Sequence, residues 1–280
     1  MRKFLVTLLS FLSLSANAIT GICNNYDSTF NLPICRGPAA LALVAPSMMW
    51  SDLYRINFAS ASHQYVNCDN LTSFTMSNAW TVEFWTYATS FNSSGRHAII
   101  SKQAASPPQG WSAGVELWDT PGNNPRPYMV MFDASTNGHR YYGGDNVNTG
   151  ALNHIVIGYD GGGQGVSHFK FYLNGASSSS NSGSTWGTGT PGDITTSTVV
   201  KFGYSLADSD QYWNGYYRVV RVYAVLLTAG QVTTLYNSGT PTSATNLSPV
   251  IDMNFENGYT DDGSVGLTCT GVASPTFSLN

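Results

Sequence analysis

The chain of 280 residues is 42% hydrophobic and 13% aromatic but only 10% charged, enough apolar content for one sizeable core that buries roughly 70–75% of the unfolded surface. Its formal net charge is −4 and its Lys and Arg residues are scattered singly, which excludes the basic stripe that a nucleic-acid binder presents to phosphates. Gly, Ser, Thr and Asn replace charge as the source of surface polarity, a composition suited to neutral partners outside the cell.

Arg2 and Lys3 precede an apolar run from Phe4 to Leu14, and Ala16-Asn17-Ala18 offers a small-x-small cleavage site. These are the parts of an export signal, so residues 1–18 are expected to be a signal peptide cleaved after Ala18. The alternative, an uncleaved anchor, needs an apolar run of roughly 20 residues, and Phe4 to Leu14 falls short of it. Ile22 directly before Cys23 does not suit a lipid-acylation box. The mature chain is expected to be secreted or held at the extracellular surface, with the periplasm as an alternative, and not inserted in a membrane after cleavage.

Residues 19–49 show Asn, Pro and Gly punctuation without a sustained period and read as an irregular N-terminal arm. From residue 50 onward short strands dominate. Arg55-Ile56-Asn57-Phe58 and Gln64-Tyr65-Val66-Asn67 are two of them, separated by Ala59 to His63. Trp80 to Tyr87, WTVEFWTY, sets Val82 and Phe84 against Glu83, Trp85 and Tyr87, the period-2 pattern of a strand. Ala98 to Lys102, Trp111 to Trp118, Tyr128 to Phe132 and Arg140 to Tyr142 follow, split by turn-rich loops. Leu152 to Gly161 and Phe169 to Gly175 come next, and Asn174-Gly175 is a tight hairpin signal. Ser177 to Asp193 is Ser-, Gly- and Thr-rich around Trp186 and reads as a long loop before a strand over Thr198 to Tyr204.

Tyr216 to Ala224 alternates again, with Tyr217, Val219, Arg221 and Tyr223 expected on one face. Thr228 is placed to cap a short helix carrying Val232, Leu235 and Tyr236 on one side. Val250 to Phe255 and Leu267 to Thr270 complete the strands. Many short strands divided by Gly, Pro and Asn turns, with little helix and no repeat period, predict an all-β, two-sheet antiparallel sandwich of jelly-roll type.

Four of these segments carry a resemblance. WTVEFWTY is similar to an F-T-V-E-x-W-V strand, Ile99-Ile100-Ser101-Lys102 to I-I-S-K, and Leu152 to Gly161 to W-H-H-V-A-V-T-Y-D-G. The run Tyr212 to Tyr236 resembles the closing F-x-G-x-I-D-E-V-R-I-Y segment with its following L-S-x-x-E-I-x-x-L-Y. Together they resemble the laminin G-like domain of the concanavalin A-like lectin/glucanase superfamily, over about residues 55–280. The resemblance implies a concanavalin A-like jelly roll over residues 50–280. Of the three pairings open to four cysteines, Cys23 with Cys35 and Cys68 with Cys269 are expected, the second because the first and last strand regions lie close together in this superfamily. It also implies a hard-oxygen calcium site at the rim, for which Asp208 and Asp210, or Asp119 with Asn123 and Asn124, are the candidates; solvated turn residues are the alternative.

The chemistry available to such a chain is narrow. Its only glutamates are Glu83, Glu116 and Glu256, and the E-x-D-x-x-E strand that carries the acid pair in the superfamily's glucanases is absent. Glu116 and Asp119 stand three apart, a spacing that sends strand side chains to opposite faces. Gly110-Trp111-Ser112-Ala113-Gly114 fits the nucleophile-elbow pattern but leads into a strand, where the elbow needs a helix. His63, His97, His139, His154 and His168 lack metal-ligand spacing, and His154 reads as a hydrogen-bonded structural histidine. Trp118, Tyr141, Tyr142, Trp186, Tyr212 and Trp213 sit in or beside loops and are the candidate glycan-binding rings, each with a place in the core as its alternative. The expected function is a non-catalytic glycan-binding or adhesion module with a glycan or cell-surface polysaccharide as partner. The alternatives are a structural subunit of an extracellular filament, coat or virion surface, self-associating through the N-terminal arm, and, less favoured, a polysaccharide hydrolase or lyase.

Overall fold

The structure, a computed structural model, describes residues 25–27, 32–34, 54–71, 78–91, 95–117, 124–135, 137–162, 165–178, 181–186, 194, 196–207, 211–256 and 258–279. The chain divides into two units, Met1–Met49 and Trp50–Asn280. In the first, β1 (Asn25–Asp27) and β2 (Leu32–Ile34) pair antiparallel, with Asn25 opposite Ile34.

The second unit opens with β3 (Tyr54–Phe58), β4 (Tyr65–Cys68), β5 (Trp80–Ala88) and β6 (Arg96–Gln103). Then come β7 (Gly110–Glu116), β8 (Arg126–Phe132), β9 (Gly138–Tyr142) and β10 (Leu152–Tyr159). The hairpin of β11 (Phe169–Leu173) and β12 (Ala176–Ser177) turns at Asn174 and Gly175, both at positive φ. It is followed by β13 (Ser182–Trp186), β14 (Lys201–Phe202) and the long β15 (Gly215–Tyr223). Helix α1 (Ala229–Tyr236) precedes β16 (Ile251–Met253), β17 (Cys269–Val272) and β18 (Thr276–Leu279).

These strands form two eight-stranded sheets. The first runs β12-β11-β10-β5-β15-β3-β18, with β16 also on β15, and the second runs β13-β9-β8-β7-β6-β14-β4-β17. Every pairing among the described residues is antiparallel, as the alternation predicts. Ile56, Val82, Phe84, Ile155 and Ile157 of the first sheet share one buried core with Val66, Ala113, Val115, Met129, Met131 and Phe202 of the second. Each of these side chains other than Ala113 contributes about 1.5–3 kcal/mol when fully buried. Cys68 and Cys269 stand opposite each other on β4 and β17 and are joined by a disulfide, whereas Cys23 and Cys35 lie outside the described residues.

Strand β15 departs from simple alternation. Its register on β5 shifts between Tyr217 and Val219, a bulge that turns the second half of the strand over. Tyr217, Val220 and Val222 therefore face the core together, and the grouping of Tyr217 with Val219, Arg221 and Tyr223 is corrected. Tyr223 instead joins Val156, Tyr172, Val232 and Leu235 in a second cluster under α1. The helix starts with a capping box in which Thr228 and Gln231 satisfy each other's backbone.

Two other segments differ from expectation. The Ser/Gly-rich stretch after β12 contains β13, an edge strand paired to β9 from Ser182–Tyr142 to Trp186–Gly138. It is held by main-chain pairing and carries no hydrophobic alternation for a sequence reading to catch. The strand expected over Thr198 to Tyr204 shortens to Lys201–Phe202, wedged between β6 and β4. Among the described residues no helix is long and apolar enough to cross a membrane.

Candidate functional site

Alternation on β4 sends Val66 and Cys68 into the core and leaves Tyr65 and Asn67 on the opposite face, half-exposed. Tyr204, just after β14, and Tyr212, just before β15, are brought to the same place. Their rings stack at 4.5 Å with an interplanar angle of 8°. His63 lies on Tyr212 at 4.5 Å and 12°, and Tyr65 tilts against Tyr204 at 5.2 Å. The result is a continuous aromatic platform from four separate points in the chain.

Its surroundings hold the rings in place. His63 sits in the left-handed region after a short 3-10 turn. Gln64 fixes that turn: its Oε1 accepts from Ala59 N at 2.7 Å, and its Nε2 donates to the carbonyls of Ala273 and Ser274. Ser101 Oγ donates to the Tyr204 carbonyl at 2.7 Å. Lys201 Nζ donates to Asn67 Oδ1 at 2.6 Å and lies 5.4 Å from the Tyr65 ring centre. Burial lowers the Lys201 ammonium from its ordinary value. Flat apolar faces beside amide and ammonium groups match a ligand with one apolar face and many hydroxyls.

Of the rings singled out from sequence, the structure brings Tyr212 into this platform. Tyr142 lies elsewhere, half-buried, with the Arg126 guanidinium 4.2 Å from its centre and that of Arg140 at 5.8 Å. Tyr141 and Trp213 are corrected, because both are core residues. Tyr141, the neighbour of Tyr142 on a strand, necessarily faces the other way, and its ring packs on Phe169 at 4.1 Å. Trp213 is fully buried against Phe91 and Tyr217, with its indole Nε1 donating to the Tyr87 carbonyl at 3.3 Å. Trp118 and the candidate calcium ligands Asp208, Asp210, Asp119 and Asn123 lie outside the described residues, and so does the side chain of Trp186, whereas Asn124 is exposed just before β8. Among the described residues no three His, Cys, Asp or Glu side chains converge as a metal site. The sequence reading missed Tyr65, Tyr204 and His63; the alternation of Tyr65 and Asn67 with Val66 and Cys68 was the one signal that could have found part of the set.

The laminin G-type profile of the concanavalin A-like lectin/glucanases superfamily matches residues 60–233, more than half of the chain. The chain belongs to this family. Solved structures that share its fold include two of known source. A candidate carbohydrate-binding protein from Bacteroides ovatus superposes with a TM-score of 0.53 at 14% identity, over 81% of this chain and 60% of that one. The heptameric SAP-like pentraxin of Limulus polyphemus gives 0.50 at 14% identity, over 78% of this chain and 94% of that one. The chain thus spans 60% of the length of the Bacteroides structure. No curated protein sequence matches it.

In this laminin G-like sandwich two of the glutamates are held in ion pairs. Glu83 is fully buried beneath α1. Its Oε1 lies 3.2 Å from His154 Nε2, and its Oε2 accepts from the Tyr223 hydroxyl at 2.6 Å and faces Arg221 Nη1 at 3.5 Å. Burial alone would raise its pKa, but the Arg221 charge and the His154 and Tyr223 contacts outweigh burial and hold the carboxyl at about 2. Arg221 also donates from Nε to Asp252 Oδ1 at 2.7 Å. Two rings also lie against His154, Trp85 at 4.6 Å and Tyr236 at 5.9 Å, and with Glu83 on its Nε2 it is the hydrogen-bonded structural histidine expected. Glu116, also buried, pairs with Arg140 at 2.8 Å. Ser112, the centre of the elbow-like pattern, lies mid-strand in β7 with its Oγ 3.3 Å from the Tyr128 hydroxyl.

Proposed function

We propose that this chain is an exported, non-catalytic glycan-binding protein that serves in adhesion or capture through one laminin G-like domain. The observation that carries the reading is the half-exposed stack of Tyr65, Tyr204, Tyr212 and His63 beside Asn67 and Lys201. A pyranose lays its C–H face on such rings while neighbouring amides take its hydroxyls. The fold likeness to a candidate carbohydrate-binding protein supports the ligand class. The commitment of Glu83 and Glu116 to Arg221 and Arg140 supports the absence of catalysis, because a carboxylate held at about 2 by its partners is a poor general acid.

The test is binding of the mature protein to an array of neutral glycans and to insoluble polysaccharides, with Tyr204→Ala and Tyr212→Ala alongside. Binding that weakens in both variants supports the reading; a folded wild-type protein that binds no glycan overturns it. A parallel arm with a calcium chelator tests the proposal that Asp208 and Asp210, just before Tyr212 in sequence, contribute hard oxygens to the same site. Turnover of any polysaccharide that disappears in Glu83→Gln or Glu116→Gln would replace it with a hydrolase or lyase.

A further inference from the structure

The outer face of the first sheet is divided. One half lies under α1, where Val156, Tyr223, Val232 and Leu235 pack together. The other half forms an open groove of about 450 Å³, lined by Arg55, Asn57, Tyr87, Thr89 and Tyr216 among others. Tyr87 on β5 and Tyr216 on β15 are register partners, and their rings stack at 4.7 Å and 4°. The Arg55 guanidinium, from β3, lies over Tyr216 with Cζ 4.2 Å from the ring centre. Three neighbouring strands therefore contribute one column, ring on ring on guanidinium.

Arg55 is held but not neutralised. Its Nε donates to Ser278 Oγ at 2.9 Å, and among the described residues its two terminal nitrogens have no hydrogen-bond or ion-pair partner. Asn57 Nδ2 is likewise taken up by Ser278 Oγ and the Thr276 carbonyl, which orients the amide with Oδ1 as its remaining acceptor. Among the described residues the groove lining contains a cation and no acidic side chain, in a chain whose net charge is −4. A flat guanidinium whose Nε and ring face are already engaged keeps a preset pair of donors, the geometry that receives a carboxylate bidentately. The Tyr rings and the Asn57 and Thr89 oxygens suit the body of a sugar.

We propose that this groove is a second saccharide site, selective for acidic sugars, with Arg55 receiving a uronate carboxylate and the Tyr87–Tyr216 column supporting the ring. It takes its ligand class from the glycan-binding reading but uses none of the platform residues. Calorimetric titration of the full protein with trimers of galacturonic, glucuronic and mannuronic acid, and with their methyl esters, tests it. At least one acid trimer binds, its ester binds about tenfold or more weakly, and Arg55→Lys, which keeps the charge but loses the fork, lowers affinity for the acid by a similar factor. Unchanged thermal unfolding of Arg55→Lys shows that its fold is intact; should it unfold, Thr89→Val and Tyr87→Leu provide the same reading from the groove's other residues. Equal binding of acid and ester, undiminished binding by folded variants, or no uronate binding by wild type overturns the proposal. A protein that binds neutral glycans but no uronate overturns this site alone, and one that binds uronates but no neutral glycan overturns the platform alone.

Discussion

Glu83 and Arg221 stand directly opposite each other on β5 and β15, both fully buried, and each also holds a second partner, Tyr223 for the acid and Asp252 for the base. Two formal charges withdrawn from water in this way persist only as a set, since removing one leaves the other uncompensated.

Glu83→Gln should therefore destabilise the fold by about 3 kcal/mol at neutral pH. The pH dependence has a definite sign. Glu83 is depressed from 4.5 to about 2, so its contribution is whole above the ordinary value and declines as pH falls towards the depressed one. The stability gap between wild type and variant, measured by urea unfolding, should be constant at higher pH and narrow across that window. Asp252, whose carboxyl is raised first by burial and in smaller part by the Glu83 charge, is present in both proteins, so its burial contribution cancels from the comparison and only the smaller Glu83 one remains. A gap that widens on acidification contradicts the assignment.

Tyr212 and Trp213 are adjacent in sequence and opposite in role. Trp213→Ala should cost about 3–5 kcal/mol of stability by emptying a core position, seen as a lowered unfolding midpoint. Tyr212→Ala should cost less than about 1 kcal/mol of stability while weakening glycan binding by about 0.5–1.5 kcal/mol. Equal stability losses in the two would show that Tyr212 is structural.

The Cys68–Cys269 bond spans a sequence separation of 201, and in the chain-entropy treatment such a loop contributes about 5 kcal/mol. The Cys68→Ala, Cys269→Ala double variant should show a loss of that order in urea. The same shift should follow reduction of the wild-type protein, and a change well under ~1 kcal/mol would place the stabilisation elsewhere.

Gly215 starts β15 at φ +146, and a Cβ there would lie 1.9 Å from the Tyr87 carbonyl oxygen. Gly215→Ala should lower stability by about 2 kcal/mol or more, measured by thermal unfolding. It should also loosen the groove beside it, because Tyr216 follows directly. A neutral result would mean that β5 and β15 can separate at this end without loss.

Where residues carried a period and a buried face, the fold was legible. WTVEFWTY and the Thr228 cap were read correctly because alternation and capping are local chemistry, expressed within a few residues. β13 was not, since an edge strand of Ser, Gly and Thr buries no stripe and is defined by the main-chain partners it finds on β9. The face of Tyr217 was misjudged for a related reason: a bulge is a mismatch between two strands, and one strand viewed alone cannot display it.

The amino-acid sequence by itself determined that this chain is an all-β antiparallel sandwich, because hydrophobic alternation and turn chemistry act over short distances, and four motif segments carried its resemblance to laminin G-like domains. It also showed that glutamates are few, Glu83, Glu116 and Glu256 being the only ones. Only the tertiary structure decided which aromatic rings remain accessible. Tyr65, Tyr204 and Tyr212 meet because β4 and β14 are neighbours in one sheet, while Tyr141 and Trp213 vanish into the core. Ring exposure follows from how two curved layers close on each other, a property of the assembled sheets that no single strand contains.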